Sequence, residues 1–203
     1  MLIESQDFAP IAAMQAAADW SALGRLLAES ARRLEQAGAQ GLLICTNTMH
    51  KLYDEVQAAI GIPVLHIGDV TARKLIGDGI GRAGLLGTRF TMAESFYRER
   101  IEAHGIAVDV PDQAMAAEID RIIFEELVRG TVSRVSQRTL KTCITSLAQA
   151  RNQAVILGCT ELVMLVDPVA NILPIYDTTA LHSAAAVDWI LSADSGSGTT
   201  SYD

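Results

Sequence analysis

Six short apolar runs, each continuous rather than alternating, constrain this chain more than any other feature. They lie at Gly41–Thr46, Ile62–Ile67, Ala83–Gly87, Ile106–Val110, Ala154–Gly158 and Ile172–Tyr176. A strand with one wet face alternates apolar and polar residues. A run that stays apolar is a strand covered on both faces, the habit of parallel sheets. Helical spacing fills the intervals. Leu23, Leu26, Leu27, Ala31 and Leu34 recur along Trp20–Ala37, with Gly38 as a stop. Met115, Ile119, Ile122, Ile123 and Leu127 do so along Ala114–Val128, and Val135, Leu140, Cys143, Ile144 and Leu147 along Val132–Ala150. Alternating strands and helices read as an α/β fold with parallel sheets. The end of the chain, DSGSGTTSYD, has no apolar period, and a flexible tail over residues 193–203 is expected.

The runs also repeat. Leu42–Met49 and Val155–Leu162 both read as an apolar run, then Cys-Thr, then polar residues. Each leads to a second strand around a proline, Pro63 or Pro174, and then to a helix, Thr71–Ile76 or Thr178–Ile190. Two similar α/β halves follow, 1–77 plus 178–192 and 78–177. The strand at Ala83 opens the second half 76 residues before Cys159, whereas only 44 residues precede Cys45. The first half is therefore expected to be incomplete by about 32 residues, one strand and one helix, with Leu2-Ile3 as the remnant of a strand.

Composition narrows the class. A formal net charge of -8, from 16 Lys+Arg against 24 Asp+Glu, argues against a nucleic-acid platform. No apolar stretch is long enough to span a membrane, and no basic leader precedes an apolar run at Met1. Three cysteines are too few and too odd for a disulfide framework, which fits a reducing cytoplasm. No GxGxxG follows a strand, no GxxxxGK[ST] occurs, and Lys51, Lys74 and Lys141 carry no pyridoxal-phosphate signature, so no cofactor is expected.

Chemistry concentrates where strands end. Cys45 and Cys159 each lie between a strand and a following helix, and ligands of open α/β sheets bind beyond the carboxyl ends of strands. Helix N-termini and backbone N–H groups favour thiolate there. Two such thiols on related halves, facing one another across a cleft, would offer a bound carbon a base on one side and an acid on the other. Racemisation needs that arrangement. The plainer alternative is a pair of buried structural cysteines. Cys143, inside a helical apolar stripe, reads as core. Asn47, Thr48 and Thr160 can cap helices or hold a carboxylate, and Glu161 reads as a first-turn acid. Arg129 is either a helix C-terminal cation or a counter-charge for a substrate carboxylate. His104, before Gly105, suits a helix C-terminus, while His66 and His182 lie near strand ends, where they can support reacting groups. The spacing of Cys45, His50, Cys159 and His182 matches no standard zinc finger, and no metal is expected.

CTNTMH (45–50), LLGTRFTM (85–92), FYRERI (96–101), IIFEELVRG (122–130), LGCTEL (157–162) and LPIYDTTALH (173–182) together resemble the aspartate/glutamate racemase family. The resemblance is closest to its aspartate racemase and broad-specificity amino-acid racemase branch, and runs in order from residue 1 to about residue 192. It implies two pseudo-symmetric Rossmann-like halves, a homodimer, and an amino-acid racemase that uses no pyridoxal phosphate. Cys45 and Cys159 match the family's acid/base pair. Asn47, Thr48 and Thr160 match positions that hold the substrate carboxylate, and Thr88 and Thr91 match its threonine-rich loop. Arg129 falls where members acting on acidic substrates often have Lys, which favours a dicarboxylic amino acid.

Family members open with a strand and turn resembling GLIGGMSWEST, then a helix and an RLGG-type segment, none of which occurs in this sequence. This departure matches the deficit read from the repeat. Two other readings follow: a sister isomerase of the hydantoin racemase or maleate isomerase type, or a truncated, non-catalytic amino-acid-binding protein.

Overall fold

The computed structural model describes residues 1–194. Contacts divide the chain into two units, Met1–Cys45 with Met49–His66, and Thr46–Thr48 with Ile67–Asp203. The repeat gave the helix after each proline strand to the first half. By contacts, both of those helices group with the second unit.

The first unit opens with α1 (Phe8–Ala16) and α2 (Trp20–Gln36). Asp19 caps α2 by accepting from Ala22 N–H at 3.0 Å, and the chain turns away at Gly38, whose φ of 95° favours glycine. β1 (Leu42–Leu43), α3 (Tyr53–Ala58) and β2 (Val64–Leu65) follow. β1 and β2 pair in parallel, Leu42 with Val64 and Leu43 with Leu65. Two strands alone are marginal in water. Here a cluster of Leu23, Ala31, Leu42, Ile44, Met49, Leu52, Val56, Ile60 and Val64 supplies the missing apolar burial. Glu35 ties α2 to the loop before β2, accepting from Gly61 N–H at 2.7 Å and Ile62 N–H at 3.1 Å.

Residues 1–7 form no strand, contrary to the expectation at Leu2-Ile3. Leu2 and Ile3 are 48% and 76% exposed, and no strand among the described residues pairs with them. Polar contacts anchor this segment instead: Glu4 accepts from the Arg33 guanidinium and from Gln6 and Ser30.

The second unit contains α4 (Ile67–Gly77), β3 (Arg82–Gly87), α5 (Arg89–Ala93), α6 (Ser95–Glu102), β4 (Ala107–Asp109), α7 (Gln113–Arg121), α8 (Arg134–Gln149), β5 (Ala154–Gly158), β6 (Ile175–Asp177) and α9 (Thr178–Asp194). Its four strands are parallel, in the order β4-β3-β5-β6. The continuous runs sort by alternation. Leu86, Val155 and Leu157 enter one cluster with Ile119, Leu140, Cys143, Ile144 and Leu147, on the side of α7 and α8. Ala83, Leu85, Ala154 and Ile156 enter another with Ile67, Leu75, Tyr97 and Ile101, on the side of α4 and α6. Both faces are covered, so both sets must be apolar. Cys143 is core, as expected, and burial pushes its thiol up to about 12.

The helix expected over Ala114–Val128 is interrupted. α7 stops at Arg121, Ile122–Glu126 form a π-turn, and Leu127–Arg129 a 3-10 turn ending at Gly130 with φ 74°. The irregular turns keep Ile122, Ile123 and Leu127 buried while Arg121 reaches Glu118, Glu125 and Glu126. Ala193 and Asp194, expected in the tail, complete α9, and the rest of that tail lies outside the described residues. Among the described residues, no helix is long and apolar enough to cross a membrane.

At their carboxyl ends β3 and β5 leave no room for a side chain. A Cβ on Gly87 would stand 2.8 Å from the Gly158 carbonyl oxygen and 3.2 Å from Thr91 Cβ. The neighbouring atom is backbone and cannot swing aside. Gly87→Ala should therefore destabilise the chain by about 1–3 kcal/mol in urea unfolding. Gly77→Ala is the control: no heavy atom lies within 4 Å of the added carbon, and the change should be neutral or stabilising by up to about 1 kcal/mol.

Candidate active site

The register of the second unit assembles a site at the carboxyl ends of its two central strands. Gly87 and Gly158 are the last partners of β3 and β5. The next residues, Thr88 and Cys159, follow directly on that last pair. Thr91 leans on both glycines: a Cβ on Gly158 would meet its Cγ2 at 3.1 Å.

Thr48, from the Thr46–Thr48 segment that groups with this unit, completes a triangle of hydroxyls. Thr48 and Thr88 oxygens are 3.1 Å apart, Thr88 and Thr91 3.2 Å, and Thr48 and Thr91 3.5 Å. All three residues are buried. Thr88 also caps α5, accepting from Thr91 N–H. A hydroxyl has one proton and two lone pairs, so the triangle satisfies itself when empty and can turn its protons toward an acceptor that enters.

Asn47 is held differently. Its Nδ2 donates to Thr178 Oγ1 at 3.0 Å, and Thr178 donates its own proton to the Leu157 carbonyl at 2.8 Å. That second bond fixes the amide: Thr178 has no proton left to give, so it must accept from Asn47. Asn47 Oδ1 is left without a donor although the residue is only 2% exposed. A buried, unpaired carbonyl oxygen is costly unless a ligand supplies an N–H or O–H.

Cys159 is buried at the end of β5. Its Sγ donates to Glu161 Oε2 at 3.0 Å, and Thr160 Oγ1 donates to the same oxygen at 2.6 Å. A strand-end position by itself favours thiolate. Instead burial, and then the Glu161 carboxylate, push the Cys159 thiol well above its ordinary range. Backbone N–H groups of Glu161 and Leu162 pull the other way, but more weakly. Glu161 is thus more than a first-turn acid.

Cys45 belongs to the first unit, just beyond β1, and is exposed. In that unit the rings of His50 and His66 meet edge-on at 4.5 Å, and Tyr53 meets His66 at 4.7 Å. His104 lies beyond α6 as expected, with Nε2 3.1 Å from Asp69 Oδ1. Arg129 is exposed, and no hydrogen bond among the described residues joins it to the threonine triangle. The residue missed in the sequence is Thr178. Its signal was its place at the carboxyl end of a proline-led strand, the same rule that selected Cys45 and Cys159.

The profile of the Asp/Glu/Hydantoin racemase family matches residues 1–186. The broad-specificity amino-acid racemase RacX of Bacillus subtilis (strain 168) is 25% identical over 87% of this chain and 76% of its own length. Among solved structures, a candidate Asp/Glu racemase from Yersinia pestis is 43% identical with a TM-score of 0.87, over 94% of this chain and 83% of its own. An aspartate racemase homologue from Pyrococcus horikoshii OT3 is 29% identical with a TM-score of 0.81, over 93% of this chain and 82% of its own.

The two environments predict unequal thiol reactivity. With a disulfide reagent at neutral pH, one fast thiol should appear in the native chain and vanish in Cys45→Ser. Cys143 and Cys159 should react at least about 10²-fold more slowly, because burial and a raised thiol suppress the thiolate. A fast phase that survives Cys45→Ser contradicts this ordering.

Proposed function

The chain belongs to the Asp/Glu/hydantoin racemase family, and on that premise we propose that it is an amino-acid racemase that works without pyridoxal phosphate on aspartate or glutamate, with Cys45 and Cys159 as its acid/base pair. The observation that carries the reading is the company kept by Cys159. A strand-end thiol lies in the same unit as three convergent hydroxyls and a buried amide oxygen that lacks a donor.

An α-amino acid is a zwitterion around one acidic carbon. Thr48, Thr88 and Thr91 are suited to donate to its carboxylate, and Asn47 Oδ1 to accept from its ammonium; Thr160, expected among the carboxylate donors, has its proton committed to Glu161. Without an electron sink, the negative charge left by the α-proton moves onto the carboxylate. Donors aimed at those oxygens lower the barrier most, because their bonds strengthen as the charge develops. A thiolate removes the proton from one face and a thiol returns one to the other, inverting the carbon. In the resting protein Cys159 is the thiol, and so begins as the acid. Arg129 is the proposed counter-charge for the side-chain carboxylate. A cytoplasmic setting and a homodimer complete the reading.

The test is α-proton exchange in D2O with single enantiomers of aspartate, glutamate and alanine, followed by proton NMR and optical rotation. Exchange with loss of rotation is expected for the acidic amino acids. Cys45→Ser and Cys159→Ser should each lower it by about 10²–10⁴-fold. Wild-type turnover in either variant would falsify the two-thiol mechanism. Arg129→Ala should raise KM for aspartate and glutamate about tenfold and leave alanine unaffected; an equal effect on all three removes Arg129 from the site.

A further inference from the structure

α5 carries much of the candidate site and has little stability of its own. It has five residues, Arg89–Ala93, too few to hold a helical turn without outside support. Yet its N-cap Thr88 and its third residue Thr91 supply two of the three converging hydroxyls. Whatever fixes the first turn of α5 therefore fixes the triangle. One hold is apolar: Met92 is 1% exposed and lies in the cluster with Ile119, Ile122 and Ile123. That contact sets how deeply the helix sits. An unbranched thioether adapts to rotation, however, so it does not aim the turn.

The other hold is polar. The Arg89 N–H, first of the helix and without an acceptor inside it, donates to Asp120 Oδ1 at 2.7 Å. Asp120 comes from α7, 31 positions later, and its side chain is 14% exposed. Its second oxygen lies 3.8 Å from the Arg89 guanidinium, which offsets the charge and rests over the Phe90 ring at 4.7 Å. A carboxylate that accepts from a backbone N–H makes a stronger bond than a neutral pair does. Thr88 caps the Thr91 N–H at 3.4 Å, a longer and weaker bond.

We propose that Asp120 is a positioning residue: it fixes the first turn of α5, and through it holds Thr88 and Thr91 in the arrangement that receives a carboxylate. The inference rests on the carboxylate-binding role proposed above for these threonines, and it needs neither thiol. Every residue in it belongs to the second unit. Asp120 acts through Arg89 and touches no ligand. Without it the turn is free to move, and an entering carboxylate must order the hydroxyls as it binds, which weakens affinity.

Two variants separate the contact from the charge. Asp120→Ala removes the acceptor, whereas Asp120→Asn keeps an acceptor oxygen at the same place and loses the charge. Amide hydrogen exchange, followed by NMR, reads the turn directly. In Asp120→Ala the Arg89 and Thr91 amides should exchange at least about tenfold faster, while those of Leu85 and Ile156 on β3 and β5 stay protected. Asp120→Asn should keep most of the protection. Calorimetric titration with aspartate reads the site. Its Kd should rise about tenfold in Asp120→Ala and less than about threefold in Asp120→Asn. Loss of folded protein would lower the titrated stoichiometry and leave Kd alone, so the titration distinguishes positioning from stability. Unchanged Arg89 exchange in Asp120→Ala overturns the inference, and so does an unchanged Kd. A wild type that binds no aspartate overturns it together with the reading it rests on. Shifts as stated, in a chain that never exchanges an α-proton, uphold it and remove the racemase reading.

Discussion

The parallel pairing of β3 with β5 is the constraint on which the rest of the second unit depends. Five register pairs bring Leu85 and Leu86 beside Ile156 and Leu157, and the pairing ends on two glycines. Those glycines let the backbones close and let Thr91 settle on the strand ends. A side chain at either position would crowd Thr91, which carries one corner of the hydroxyl triangle. The packing that stabilises the sheet and the arrangement of the candidate site are therefore one geometric fact. The same strand supplies Leu157, whose carbonyl takes the Thr178 proton and so fixes the orientation of Asn47.

At Cys159 two tendencies of a strand end compete. Position favours charge, through backbone N–H groups at the start of the next turn. Burial in the cluster with Leu86, Leu157 and Leu162 disfavours it, and a carboxylate at hydrogen-bond distance disfavours it further. Burial wins. Cys45, exposed in the first unit, has no comparable burial. The two thiols, alike in sequence, begin in unlike surroundings.

The elements legible in the sequence were those whose pattern survives burial on both sides. All six apolar runs contain a strand, though β1 and β2 are only two residues long. α2 and α8 lie within one or two residues of their expected ranges, because their stripes face a single core. α1 and α5 were not foreseen, and of α6 only the end near His104 was. α1 is apolar on most sides, which leaves no period to read, and α5 is a five-residue turn. The break after Arg121 was hidden because Ile119, Ile122, Ile123 and Leu127 keep a helical spacing while the backbone widens to suit them. At Leu2-Ile3 two apolar residues suggested a strand, but a strand exists only where a neighbour pairs with it.

The sequence by itself determined the α/β class, the parallel strands, the core role of Cys143 and the strand-end positions of Cys45 and Cys159. These follow from local periodicity and chain punctuation, which each segment carries alone. Tertiary structure alone decided that Thr48, Thr88 and Thr91 share one triangle, that Thr178 orients Asn47, and that Cys159 rests as a thiol against Glu161. Thr48 meets Thr88 across 40 positions, and Asn47 meets Thr178 across 131. The state of Cys159 balances burial against charge, and neither quantity is written in any short stretch of sequence.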